Sequence, residues 1–492
     1  MPVIRPIVDD APKKSFSQSV FLLMSSTVIT QAITVVASPF LSRIFDASAF
    51  GLAGLVSTVA GSMAWAGGFR YESAIVLAKR QKTANVLATT VIQISFVVAL
   101  LALVLAVFYY PSINRLLGTN VLGGWLCLAP LYFFFTAYAL AQRMVAIRNQ
   151  DFLVVTRSQF VSTIGTVVLQ FATGLLLSSS GFSIIFSTIS GIVVGSIVLW
   201  VGNKGRFVRL QQSKKRRRQL VLATLYKYRF FPIYKLPYSI IGTVSPSFLV
   251  FALSSNYGLK TAGFFFLSRR ISSIPVTIIV GALSQVFFAK AASELGTTAL
   301  SLTIHRIHRL IILFLISPAL LSIGILPDLF EFSFGTPWRE AGKMTSWYLF
   351  YSFAVLLTAW IDRLYDVTGK QKIALYLQIA SEIFSLSVIG VGLIWNSSAI
   401  SIVAAYSITT LLYNLLWIYI TFHLNFVSLQ GFWQNLRLLG CTLLVCLGFN
   451  FLLLSSSLTT WWVVAVDGTI CALLLFLNKA SLIDFVGILR RR

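Results

Sequence analysis

Two adjacent arginines, Arg269 and Arg270, stand about eight residues into an apolar run at 262–288. A charge held in hydrocarbon costs on the order of several kcal/mol, so such a side chain faces a protein interior or a wet cavity. The planar guanidinium matches a phosphate by bidentate hydrogen bonding. Successive helix positions differ by about 100°, so the two cannot share one face. One is then free to face a cavity while the other snorkels or pairs. Two readings stand: an anion site, or a helix-packing ion pair with Glu382 or Asp467 as the acid.

Glu382 is central in an apolar run at 373–395, with Gln378 four residues before it and Ser385 three after. That spacing puts the three on one helical stripe, expected to line a polar lumen. Glu382 is suited either to carry a coupling proton or to neutralise an arginine. Asp467 is isolated among apolar residues. In the first apolar run Ser26, Thr30, Thr34, Ser38 and Ser42 recur every fourth residue and Arg43 follows. Gln159, Thr163, Thr166 and Gln170 make a similar stripe at 158–178. Such stripes serve a substrate path or close helix packing through small residues equally well. Arg43, Arg269 and Arg270 are candidate contacts for an anionic substrate, with Gln378, Ser385, Thr30, Thr34 and Gln159 as lumen-lining candidates.

Other chemistry finds no support. No G-x-x-x-x-G-K-[ST], H-E-x-x-H or D-x-D occurs, so neither a P-loop nor a zinc protease site nor a metal-sugar site is expected. The carboxylates are too scattered for a glycosidase pair. No catalytic residue, metal ligand or cofactor is nominated. Cys127, Cys441, Cys446 and Cys471 all fall within apolar runs at spacings that suit neither zinc nor disulfides. His305 and His308 have no acidic or cysteine neighbour, and 290–309 reads as an interfacial amphipathic stretch with both histidines at the surface. Gradient-driven transport is the default class.

The elements that position these residues follow from composition. The chain is 57% hydrophobic and 11% charged, with a mean hydropathy of +0.85. Apolar segments of about 20 residues match a bilayer core. About fourteen are read: 18–40, 50–69, 86–109, 121–141, 158–178, 182–202, 238–255, 262–288, 310–326, 345–361, 373–395, 399–421, 438–455 and 461–478. Each must be helical. The fold class is therefore an all-α polytopic membrane protein. The 39 Lys+Arg, against 14 Asp+Glu, fall almost wholly in alternate gaps. The opposite gaps hold only Arg43, Arg115, Lys260, Arg339 and Lys343. Basic loops stay in the cytoplasm, so both termini are expected there. Lys13 and Lys14 precede the first run and Pro39 follows its only small-residue exit, so an uncleaved anchor is expected.

The longest interruption, 203–237, is basic. Lys214-Lys215-Arg216-Arg217-Arg218 within it reads as a topogenic, anionic-lipid segment rather than a nucleic-acid site. Six runs precede it and eight follow, giving a six-helix unit at 1–202, the linker, a second unit at 238–421, and a helix pair with a basic tail at 422–492. Ala49-Phe50-Gly51 and Ala262-Gly263-Phe264 open corresponding runs of the two units, as in transporters built from repeats.

The segment Phe69-Arg70-Tyr71-Glu72-Ser73-Ala74-Ile75-Val76-Leu77-Ala78-Lys79 resembles the R-Y-E-x-A-I-V-L sequence of bacterial polysaccharide flippases of the Wzx type. That group belongs with MATE exporters and lipid II flippases. The resemblance implies two six-helix lobes in a V around a cationic cavity, plus two C-terminal helices. It implies an undecaprenyl-pyrophosphate-linked oligosaccharide as cargo, moved to the periplasmic leaflet of the inner membrane, and membrane lipids as surroundings. A polysaccharide polymerase and a chain-length regulator are the implied protein partners. Arg70 and Glu72 match the motif, as substrate contacts or as a structural ion pair. The alternatives are a MATE-like antiporter of small cations, a membrane polymerase or ligase, and a scaffold of the assembly complex.

Overall fold

In hydrocarbon every backbone N–H and C=O must be satisfied within its own segment, which leaves the apolar runs no choice but helix. A computed structural model describes residues 16–78, 80–116, 127–204, 214–424 and 427–455, and there is no strand among them. The helices are α1 (Phe16–Ile44), α2 (Ala47–Gly67), α3 (Glu72–Leu77), α4 (Gln81–Leu116), α5 (Leu128–Arg148), α6 (Phe152–Leu176), α7 (Gly181–Gly202) and α8 (Lys214–Lys227). They continue with α9 (Leu236–Ile241), α10 (Val244–Glu294), α11 (Thr298–Ile311), α12 (Ser317–Leu321), α13 (Leu326–Phe334) and α14 (Arg339–Thr358). The last are α15 (Arg363–Thr368), α16 (Gln371–Ile394), α17 (Ala399–Leu424) and α18 (Leu429–Ser455).

Among the described residues, 11 stretches are long and apolar enough to cross a membrane. One of them, Phe231–Gly281, is broken at Gly258, whose φ of 85° a side chain would resist, and so accounts for two of the expected runs. The run at 121–141 overlaps α5 from residue 128 onward, its first residues lying outside the described ones, and the 21 residues of α5 are of spanning length. The described parts of the expected runs as far as 438–455 thus coincide with helices, and the chain is an all-α, multi-pass membrane protein. The run 461–478, with Asp467 and Cys471, lies outside the described residues.

Helices α1, α2 and α4 to α7 pack among themselves, and α10, α14, α16 and α17 form a second group. The main contact between the groups is α2 against α10. Its centre is a pair of glycines. A Cβ on Gly51 would strike the Leu259 carbonyl, and one on Gly263 would strike the Ala47 carbonyl. Each obstructing carbonyl belongs to the residue four before the partner glycine. The two helices therefore run in the same direction and cross about a local two-fold axis. Small residues allow such close backbone approach. The two short sequence repeats meet here face to face. Trp338 closes the crossing with edge contacts to Phe50 at 5.2 Å and Phe264 at 5.7 Å. Ser42 Oγ donates to the Phe334 carbonyl at 3.1 Å beside it. This seal lies on the face opposite the basic loops. Toward the basic face α2 leans on the first half of α10, with Ser62 and Ser247 hydroxyls 3.0 Å apart.

One expectation is corrected. The stretch 290–309 is not wholly an interfacial segment, because Thr298–Gly324 is one of the apolar stretches of spanning length. Thr297 caps α11 by accepting from Leu300 N–H at 3.2 Å. Arg306 and Arg309 are exposed, but His308 is buried. His308 Nε2 lies 3.0 Å from the Leu357 carbonyl, and its ring meets Trp360 and Phe422. The cause is α18, which packs onto α11 with Gly431 against the His305 ring. Periodicity on α11 alone does not announce that second wall.

The glycine crossing gives a measurable expectation. Gly51→Ala and Gly263→Ala should each lower thermal stability by the equivalent of about 1–3 kcal/mol, the usual cost of overpacking. Gly281→Ala, where a Cβ meets open space, should leave the melting temperature unchanged or raise it slightly. Thermal unfolding of the purified protein checks this, and equal melting of all three variants would refute the crossing.

Candidate functional site

Arg269 and Arg270 lie on α10 six and seven residues beyond Gly263, so the crossing fixes their depth at about 9–10 Å below it. Both are half-buried. They splay as neighbouring helix positions must. Arg270 acts electrostatically on Tyr132 of α5, in the first group of helices. Arg269 acts on Tyr348 and Tyr351 of α14, in the second. Neither forms an ion pair with a described carboxylate. Glu382, the acid weighed as their partner, is engaged elsewhere: Ser245 N–H donates to Oε2 at 2.7 Å and Gln378 Nε2 to Oε1 at 3.0 Å. The ion-pair reading with Glu382 therefore does not hold in this structure, and Asp467 lies outside the described residues.

Gln378, Glu382 and Ser385 do share one face of α16. That face lines a cavity of about 310 Å³ together with residues of α9, α10, α14 and α17. Arg70 reaches its rim from the turn between α2 and α3, and Asp362 stands there too. The cavity thus runs from the basic face to mid-depth.

The motif around Arg70 is a tight, strained turn. Phe69 and Arg70 have φ of 49° and 60°, left-handed values that cost roughly 1–2 kcal/mol per non-glycine residue. Gly68 makes room, since a Cβ there would meet Glu72 Oε2 at 2.7 Å. Arg70 Nη1 and Glu72 Oε1 pair at 3.4 Å, with Glu72 buried. Tyr71 Oη donates to the Leu225 carbonyl at 3.3 Å, tying the turn to α8. Arg148 holds the other end, with Nε and Nη2 donating to the Ala78 carbonyl at 3.1 and 3.0 Å. Burial pushes the Arg70 guanidinium below its usual range, with Glu72 opposing the shift. Burial pushes the Glu72 carboxyl above its usual range, with Arg70 opposing.

The remaining candidates stand apart from this cavity. Arg43 is exposed in the last turn of α1. The α1 hydroxyls mostly turn back on their own helix: Thr30 donates to Ser26 O at 2.9 Å, Thr34 to Thr30 O at 3.0 Å and Ser38 to Thr34 O at 2.6 Å. Ser26 Oγ donates to Gln159 Oε1 at 3.0 Å, so the α1 and α6 stripes meet each other. Close packing accounts for both stripes where they touch. It also accounts for α6 on α7, where Gly191 and Gly195 leave no room for a Cβ against Ser162 and Thr166.

Arg143 was hidden from sequence reasoning, which placed it in a basic gap. It lies inside α5, half-buried, with no described hydrogen-bond partner for its Nε. Tyr132, Thr136 and Arg143 are spaced by four and seven, a stripe that a longer helix reading would have exposed. The phenols were also missed. Tyr348, Tyr351 and Tyr406 stack in sequence, with centroids 4.8 and 5.6 Å apart and planes within 17° and 19°. The signal for the far wall was present in Tyr406, Thr410, Asn414 and Trp417, one stripe of α17.

The profile of the family described as "Polysaccharide biosynthesis protein" matches residues 40–343, most of the chain and both arginine sites. The chain belongs to this family. Among curated proteins no significant match is found. Among solved structures, the lipid II flippase MurJ in an inward closed conformation superimposes with a TM-score of 0.65 at 14% identity, over 96% of this chain and 99% of that one. An inward-facing multidrug resistance MATE transporter of the MOP superfamily gives 0.55 at 14% identity, over 87% and 96%. A MOP superfamily transporter from Pyrococcus furiosus, described as having a binding pocket of reverse polarity, gives 0.55 at 12% identity, over 87% and 97%. At such identities these likenesses establish the fold alone. The family member therefore has the flippase and MATE fold.

The motif turn yields a pH signature. A carboxyl whose value is raised in the fold binds its proton more tightly there than in the unfolded chain. Its contribution to stability is full at low pH and is lost as pH rises through the folded value. Glu72→Gln, which never ionises, should therefore gain on the parent as pH rises from about 4 to about 8. Parallel melting-temperature curves for the two proteins would contradict the shift.

Proposed function

We propose that this protein is a flippase for undecaprenyl-pyrophosphate-linked oligosaccharide units, moving them from the cytoplasmic to the periplasmic leaflet for cell-surface polysaccharide such as O-antigen or exopolysaccharide. The observation that carries the reading is the pair Arg269 and Arg270. They stand mid-span at the junction of two helix groups, without a described carboxylate to neutralise them. Family membership and the Arg70-Tyr71-Glu72 motif support a lipid-linked saccharide as the cargo.

A saccharide headgroup with a pyrophosphate cannot cross hydrocarbon unaided, because each unpaired polar group is costly there. A groove between the bundles at 1–202 and 238–421 shields it while the polyprenyl tail stays in lipid. The arginines offset the phosphate charge, and rocking of the bundles exposes the groove alternately. Charge distribution sets the basic face in the cytoplasm of the bacterial inner membrane, with both termini on that side. An anion moving outward gains about 2.3 kcal/mol per charge per 100 mV, so the membrane potential can bias the cycle without ATP. The protein acts as a carrier, not an enzyme, beside a polymerase and a chain-length regulator. Glu382 in its cavity favours a second reading, a MATE-like antiporter of small cations, for which growth protection against cationic dyes is the readout.

Vesicle reconstitution tests the proposal. Arg269→Ala and Arg270→Ala should each slow translocation of a pyrophosphate-linked saccharide headgroup at least about tenfold, a loss of about 1.4 kcal/mol. Lysine at either position should restore part of the rate, since it keeps charge but not bidentate geometry. Parental rates in both alanine variants would remove the arginines from the mechanism.

A further inference from the structure

We propose that the cavity between α16, α17 and the end of α14 is a saccharide subsite, which takes the first neutral sugar rings of the headgroup while the arginines hold the phosphates. This rests on the flippase reading, because it divides one headgroup between two places.

The cavity's volume, about 310 Å³, lies at the lower end of the range for small-molecule sites, about 300–1,000 Å³. Its wall has the make-up that sugars need. Tyr351, Tyr406 and Trp417 contribute to the wall, although Tyr351 is stacked on Tyr348 and Tyr406, and Tyr406 and Trp417 are buried, so they shape the cavity rather than offer open ring faces. Hydroxyls come from Ser381 and Ser385, neither engaged by another described residue. Among the described residues, the one basic side chain lining it is Arg70. A site for phosphate would not be built this way.

A bare cation wants several oxygens free to converge on it. Both Glu382 oxygens already accept N–H groups, from Ser245 and Gln378. Asn414 Oδ1 accepts from the Thr358 hydroxyl at 2.9 Å. Asp362 also lines the cavity and accepts from the Tyr238 hydroxyl through Oδ2 at 3.2 Å, so the wall offers carboxylate, amide and hydroxyl oxygens of the kind that sugar hydroxyls bind.

The position relative to Arg269 completes the argument. Arg269 acts on Tyr348 and Tyr351, and Tyr351 stacks on Tyr406. Tyr351 therefore has the arginine near it and also forms part of the cavity wall. A phosphate at Arg269 places the sugar attached to it at the mouth of the cavity. Arg270 acts instead on Tyr132 of α5, across the junction.

The test uses the full chain in nanodiscs of phosphatidylethanolamine and phosphatidylglycerol, free of glycoside detergents. Saturation-transfer NMR reports binding of methyl cellobioside, methyl maltoside and methyl lactoside, and calorimetry reports inorganic pyrophosphate. At least one glycoside should show transfer. Ser385→Leu and Ser381→Leu, which fill the cavity, should cut that transfer at least fivefold. Ser385→Ala, which removes one hydroxyl without bulk, should weaken it less and guards against a folding artefact. Tyr351→Phe keeps the stack and should keep most of the signal. Arg269→Ala should leave glycoside transfer intact and weaken pyrophosphate binding at least tenfold. No glycoside transfer, or transfer indifferent to both leucine variants, overturns the subsite. So does a sodium-dependent change in the cavity tyrosines with no saccharide effect. Failure of the pyrophosphate arm alone overturns the flippase reading and leaves the saccharide result standing.

Discussion

A guanidinium half-buried within an apolar helix, with no described carboxylate paired to it, is the constraint around which the other features arrange themselves. The described carboxylates near the spans are spoken for. Glu382 takes two N–H donors, Glu72 holds Arg70, and Asp328 and Glu331 share Arg339. The groups on which Arg269 and Arg270 act electrostatically are phenols, Tyr348 and Tyr351 for the first and Tyr132 for the second. Phenolic oxygen and ring faces lower the cost of a cation without cancelling its charge. The positive potential is left over for something that arrives, and a low-dielectric surround strengthens its pull on an anion.

The glycine crossing decides where that potential sits. Gly51 and Gly263 bring two backbones into contact on the face away from the basic loops, and Trp338 caps them through Phe50 and Phe264. Two turns further along α10 come the arginines. The same helix pair therefore closes one face and sets the depth of the charge beneath the closure. On the other face, Arg70 and Asp362 are among the residues that line the cavity. A seal made by two repeats that meet about a local axis can open by rotation of one helix group against the other, a rigid-body change that needs no unfolding.

The spans and the sidedness of charge were legible because length, hydropathy and basic residues are local quantities. The stripe Gln378, Glu382, Ser385 was legible for the same reason, since one helix carries all of it. Arg143 was not, because a helix that extends past its apolar run looks like a loop when only hydropathy is read. His308 was not, because its burial depends on α18 closing over α11. The tyrosine stack and the Gly51–Gly263 contact join residues far apart in the chain, and only the short repeat hinted at the second. The α1 and α6 hydroxyl stripes show the opposite case. Each was visible in sequence, and the fold adds what the sequence did not show, Ser26 meeting Gln159 and hydroxyls turning onto their own carbonyls.

Fixed lumenal cations also bear on the empty carrier. On the proposed orientation, phosphate and arginine charges nearly cancel during the outward step, so the loaded lobes move little net charge through the field. The emptied cavity then carries its arginines unneutralised. To the extent that rocking shifts them within the field, their return toward an electronegative cytoplasm is favoured by the same potential, at up to about 2.3 kcal/mol per charge per 100 mV for full transit. On the proposed cycle the arginines serve both legs: they neutralise cargo on the way out and supply the moving charge on the way back. A carboxylate paired to either arginine would cancel that second contribution, which gives a physical reason for Glu382 to be bound to Ser245 and Gln378 instead.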